Sequence, residues 1–171
     1  MNLVIRAINI HKSMGNRKIL NGIDLEVREG ETMVIMGGSG CGKSTLLRTI
    51  VGLLAPDEGN VSLLGRDFAR APEIEKNAIR KQFGMLFQAA ALLNSLTVGE
   101  NGALPLREHT TLDEDIVRII VKVKLELVGL TGFEDFMPYE ISGGMKKRVA
   151  LARALALDPK IVFYDEPGAG L

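Results

Sequence analysis

The run Gly37-Gly38-Ser39-Gly40-Cys41-Gly42-Lys43-Ser44 constrains this chain more than any other segment. It fits G-x-x-x-x-G-K-[ST]. The residues before it, Thr32-Met33-Val34-Ile35-Met36, read as a short apolar strand buried on both faces. Residues 45–51 follow as a helix that ends near Gly52. Strand, glycine loop and helix in that order turn consecutive backbone N–H groups toward one anion, and the helix start adds partial positive charge. Lys43 then reaches the β- and γ-phosphates of a nucleotide, and the Ser44 hydroxyl ligates Mg²⁺. Together with Thr45, the loop residues Gly37, Gly38, Ser39, Gly40, Cys41 and Gly42 complete the candidate phosphate site. Cys41 occupies a variable position of the motif, open either to a tolerated small residue or to a thiol acidified by the helix start.

Glycine is the one composition figure out of line: 19 of 171 residues, against an average near ~7%. The excess gathers at 37–42, 143–144 and 168–170, as expected where backbone must approach a ligand closely. Charge is balanced, with 21 Lys plus Arg against 21 Asp plus Glu, so no global field draws the chain to nucleic acid or anionic lipid. Lys122, Lys124 and Glu126 interrupt the best apolar stretch, which excludes a bilayer span there. The N-terminus lacks the features of a signal peptide. Cys41 is the single cysteine, so no intrachain disulfide forms and a reducing compartment is expected. The length suits one domain, soluble and cytoplasmic.

Further strands are expected at 3–8, 23–27, 60–64, 83–87 and 160–164, with a turn at 56–59. Apolar residues at Ile116, Ile119, Ile120, Val123 and Leu127 recur at helical spacing. Ser142 caps another helix, expected to run to about residue 157 and to stop at Asp158-Pro159. Strands and helices therefore alternate around a mostly parallel sheet, with a helical block inserted between Gln88 and Lys160. A parallel strand ending in Asp165-Glu166 delivers both acids to the sheet edge that carries the phosphate loop. Asp165 is suited to hold Mg²⁺ through water, and Glu166 to orient or deprotonate the attacking water. Gly143 and Gly144 follow the Ser142 cap although each costs about 1 kcal/mol in a helix, a choice that makes sense where something approaches the backbone. Lys146-Lys147-Arg148 reads as a solvated face rather than a nucleic-acid patch.

The order phosphate loop, Gln88, Ile141-Ser142-Gly143-Gly144-Met145, then Tyr164-Asp165-Glu166-Pro167 resembles the ATP-binding cassette ATPases over essentially the whole chain. The resemblance implies an α/β P-loop NTPase fold: a RecA-like parallel core, an N-terminal antiparallel part and an inserted helical subdomain. It implies one domain over 1–171, with a nucleotide-binding core at 1–88 and 158–171 and a helical subdomain at 89–157. It also implies ATP and Mg²⁺ as cofactors, with Lys43, Gln88 and Glu166 catalytic and Ser44, Gln88 and Asp165 around the metal. Ser142, Gly143 and Gly144 would meet the γ-phosphate of ATP held by a second copy in a head-to-tail homodimer. Gln88 would link the Mg²⁺ site to the helical insert, which docks on membrane-spanning permease subunits.

Met85-Leu86-Phe87-Gln88, Ala91-Leu92, residues 105–110, the Gly-Gly-Met signature and Glu166-Pro167-Gly168-Ala169-Gly170-Leu171 narrow the resemblance to the ATPases of Mla/Mce-type phospholipid transporters. That likeness adds a lipid-binding partner, no nucleic acid, and a place on the inner face of the cell membrane through the permease. Cassettes for an amino acid or a metal, and an inactive nucleotide-binding fragment, are the alternatives. Ribosome-linked or DNA-repair cassettes fit less well, since they carry two cassettes or a long coiled coil. Two departures stand out. Met14 occupies the place of the usual adenine-stacking aromatic, and a thioether packs on a base less specifically. The family's next aspartate, switch histidine and closing strands do not appear by Leu171, so an incomplete cassette, poorly active alone, is expected.

Overall fold

Ile5 and Ala7 point to one side of the first strand, β1 (Leu3–Met14), and the alternation then resets. Asn9 adopts φ 49° and the register shifts between Ala7 and Ile10, so that Ile10 is buried again. β1 pairs antiparallel with β2 (Arg17–Arg28) on one side and with β3 (Glu58–Leu63) on the other; β3 in turn pairs with β4 (Arg66–Asp67). These elements belong to the first of two compact units, Met1–Arg80, in a computed structural model that describes residues 2–165. Helix α1 (Lys43–Ile50) buries Leu46, Thr49 and Ile50 on one face, and α2 (Glu73–Arg80) buries Ile79. The expected strands at 3–8, 23–27 and 60–64 are present, the first two extended into a long hairpin.

The expected strand at 32–36 is not. Val34 is 67% exposed and Met36 86%, and residues 31–38 join no ladder. An apolar run becomes a buried strand only when other strands flank it, and among the described residues none pairs with this one.

The second unit, Lys81–Leu171, is built on β5 (Phe83–Leu86) and β6 (Ile161–Tyr164), which run parallel with Phe83 opposite Ile161 and Leu86 opposite Tyr164. Phe83 and Phe163 meet edge to face, centroids 5.3 Å apart. The crossover between the strands carries α3 (Val98–His109), α4 (Glu114–Leu127) and α5 (Gly143–Ala154), packed around Val98, Leu106, Val117, Leu125 and Val149. Helix α4 has the expected period but buries a different face: Val117, Val121 and Leu125 point inward, while Ile119 is 62% and Leu127 67% exposed. Helix α3 was not expected. Residues 105–110 end it, with Pro105 inside the helix, His109 exposed at its last turn, and Arg107 donating two 2.8 Å bonds to Glu114 of α4. Helix α5 stops at Ala154, short of the expected 157.

The end of α5 lies so close to β5 that a Cβ on Gly84 would meet the carbonyl of Ala154. We expect Gly84→Ala to destabilise the fold by about 1–3 kcal/mol, because neither backbone can yield without breaking its own ladder. An unchanged urea midpoint would show that strand and helix separate freely.

Candidate functional site

The phosphate loop opens α1 through Gly42, whose φ of 103° only glycine adopts without strain and whose Cβ would press on Ile19 and Leu20. Leu46 donates the first intrahelical bond, to Gly42 O at 2.8 Å, so the amides of Lys43, Ser44 and Thr45 lie ahead of the helix ladder. The first turn holds no acidic residue and no side-chain cap, leaving its partial positive charge for an anion. Lys43 Nζ donates to Gly37 O at 2.9 Å and to Gly38 O at 3.0 Å, with Cys41 Sγ at 3.9 Å. Its ammonium thus sits among the carbonyls of its own loop. A Cβ on Gly38 would meet nothing within 4 Å among the described residues, so their packing does not demand glycine there. Ser39, Gly40 and Cys41 are exposed, and Ser44 and Thr45 are half-buried in the first helical turn.

Met14 ends β1 opposite Arg17 and is 51% exposed. Its position is fixed by a residue that sequence reasoning passed over. Asp57 accepts from Lys12 Nζ at 2.7 Å and from Ser13 N at 2.6 Å, while its own amide donates to His11 O at 2.9 Å. The bond from Lys12, followed by that from Ser13, holds the Asp57 carboxyl below its ordinary value of 3.8. A turn reading of 56–59 contained Asp57, but nothing local announced its partners 44 and 45 residues away.

In the second unit, the register of β5 and β6 continues past the strands, with Asp165 N donating to Leu86 O at 3.0 Å. Gln88, two residues beyond β5, and Asp165, one beyond β6, therefore stand at the same sheet edge, the first exposed and the second only 8% exposed. Glu166 and the residues after it lie outside the described ones. Ser142 caps α5 as expected, its Oγ accepting from Met145 N at 3.2 Å. A Cβ on Gly143 or Gly144 would meet nothing within 4 Å among the described residues. These glycines stand about 18 Å along the helix from Ala154, whereas Gln88 and Asp165 share one edge of the sheet. Among the described residues, no three His, Cys, Asp or Glu gather into a metal cluster, and no helix is long and apolar enough to cross a membrane.

The profile of the family described as ABC transporter matches residues 20–169. The intermembrane phospholipid transport system ATP-binding protein MlaF of Haemophilus influenzae is 46% identical over 98% of this chain and 63% of its own length. The probable ribonucleotide transport ATP-binding protein mkl of Mycobacterium leprae is also 46% identical, over 100% of this chain and 49% of its own. The chain thus spans less than two thirds of either relative. Among solved structures, a dimeric post-hydrolysis state of the ATP-binding cassette MJ0796 bound to ADP and Pi superposes with a TM-score of 0.89 at 34% identity. That match covers 98% of this chain and 75% of that one.

The clamp at Asp57 has a measurable consequence. A depressed carboxylate contributes stability at pH values above its unfolded pKa and loses that contribution as pH falls through the folded value. The Ser13 amide resonance should therefore titrate with a midpoint below 3.8. A midpoint at or above that value would mean that Asp57 does not hold the strand end in solution.

Proposed function

The chain belongs to the ABC transporter family, and from that premise we propose that it is the ATP-binding and ATP-hydrolysing part of a transporter that moves phospholipid between membranes. The observation that carries the reading is the phosphate loop, an open glycine cradle at a helix start with Lys43 held inside it. In this reading Lys43 exchanges its two loop carbonyls for the phosphates of ATP, which add an opposite charge to the hydrogen bond. Met14 packs against the base. The hydroxyl of Ser44, the amide oxygen of Gln88 and the carboxylate of Asp165 are the hard oxygen donors that Mg²⁺ prefers alongside phosphate and water. When bound, Mg²⁺ neutralises charge on the β- and γ-phosphates. Glu166 accepts a proton from the attacking water as its oxygen bonds to the γ-phosphorus and the bond to ADP breaks.

Ser142, Gly143 and Gly144 serve the ATP of a second copy in a head-to-tail dimer. Their open surroundings support this, since among the described residues nothing lies within 4 Å of a Cβ built on Gly143 or Gly144. The domain reading carries over: a nucleotide-binding core at 1–88 and 158–171 with a helical subdomain at 89–157. Permease subunits, and a lipid-binding partner, would hold the protein at the inner face of the cell membrane. The mycobacterial relative, equally identical and named for ribonucleotide transport, supports a second reading of the cargo. Proteoliposomes containing the permease partners decide it: phospholipid movement that depends on ATP favours the first reading, and ribonucleotide uptake the second.

Lys43→Ala should lower ATP affinity roughly 10- to 150-fold, the loss of a charged hydrogen bond of about 1.5–3 kcal/mol. Titration calorimetry checks this, and unchanged binding would remove the phosphate site. Glu166→Gln in the full-length protein should keep ATP binding and slow hydrolysis by about two orders of magnitude. Turnover at the parental rate would exclude Glu166 as the base.

A further inference from the structure

Arg153 lies near the end of α5, in a stretch that reads as ordinary helix surface, yet its guanidinium leaves the helix altogether. One terminal nitrogen donates to Ala91 O at 2.8 Å and the other to Ala90 O at 2.9 Å. These two alanines follow Gln88 by two and three residues, and both occupy the left-handed region, at φ 60° and 49°. Two consecutive non-glycine residues rarely take that conformation, and they keep it only where surrounding contacts impose it. Here Ala90 is buried against Leu86 and Ala150, and the fork of Arg153 closes over the two carbonyls that the twisted backbone turns toward it. Burial lowers the pKa of Arg153 from its ordinary value, yet guanidinium remains charged at any physiological pH. Farther along the loop, the two N–H groups of Asn101 Nδ2 on α3 are shared among the carbonyls of Leu93, Leu96 and Thr97, and its Oδ1 accepts from Leu93 N. The segment after β5 is thus pinned at two places.

We propose that Arg153 is a positioning residue for hydrolysis: it fixes the twisted backbone at Ala90 and Ala91 and thereby sets where Gln88 stands beside Asp165. The inference rests on the proposed role of Gln88 at the metal. Arginine is required for this, because its planar fork satisfies two carbonyls at once where a lysine ammonium has no matching geometry.

Three variants of the full-length protein test it. Arg153→Met keeps much of the apolar stem and removes the donors; it should lower kcat about tenfold with KM for ATP within about twofold, the range found when a group orienting a metal ligand is lost. Arg153→Lys should restore part of that loss. The double variant with Gln88→Ala should lose no more than the larger single variant, since both act through one group, whereas independent losses would multiply. Losses that multiply, or a fall in kcat that only follows the folded fraction by circular dichroism, would overturn the proposal. Hydrogen exchange keeps the test decisive where Arg153→Met fails to fold: in Arg153→Lys, amides at 88–92 should exchange faster while the middle of α5 is unchanged. Unchanged exchange at 88–92 removes the grip itself. A silent Gln88→Ala with faster exchange removes the role of Gln88 instead, so the two failures are told apart.

Discussion

Strand β5 lies beside β6 with Leu86 opposite Tyr164, and that register decides which residues stand at the edge of the sheet. A slip of one position would turn every side chain of β6 to the other face and move Asp165 out of its buried place. The register is held along its whole length. Lys160 N donates to Gln82 O at the start, Asp165 N to Leu86 O at the end, and Phe83 meets Phe163 between them. Parallel strands cannot be joined by a tight turn, so the chain between them must cross over. In this protein the crossover is the helical block itself. The three helices are therefore no appendage on the sheet; they are the connection that makes its pairing possible, and α5 ends against the strand at Gly84.

The first unit solves a different problem, the placement of a positive charge among neutral groups. Lys43 spends its donors on the carbonyls of Gly37 and Gly38, which are neutral and lie within its own loop. A carboxylate partner would hold the ammonium more firmly and oppose any incoming anion. Carbonyl partners keep the side chain folded back over its own loop and, being neutral, add no negative charge there that would oppose an anion. The absence of acidic residues from the first turn of α1 serves the same end.

Features set by neighbouring residues were legible in the sequence: the loop at 37–44, the Ser142 cap, the strands at 3–8 and 23–27, and the strand followed by Asp165. Features set by tertiary partners were not. Helix α4 carries apolar residues on two faces, and period alone cannot say which one packs. The run at 32–36 has the composition of a buried strand, but strand formation needs neighbours that composition does not reveal. Helix α3 contains Gly99, Gly102 and Pro105, all poor helix formers, yet one local signal was present: Thr97 and Glu100 form a reciprocal capping box. Asp57 and Arg153 gave no signal, because the groups that define them are distant in sequence.

Helix α5 joins these observations into one mechanical statement. After Gly144 it contains neither glycine nor proline, so no point along it is predisposed to bend. Val149 and Ala152 pack into the helical core, Ala150 faces Leu86 and Ala90, and Arg148 donates to the carbonyls of Val128 and Gly129 at the end of α4. Each contact ties a different neighbour to the same rigid rod. At its first turn two glycines leave the backbone bare, and at its last turn Arg153 holds the loop after Gln88. Packing along its sides and the fork of Arg153 near its end therefore place the Ser142 cap and the grip on the Gln88 loop on one element.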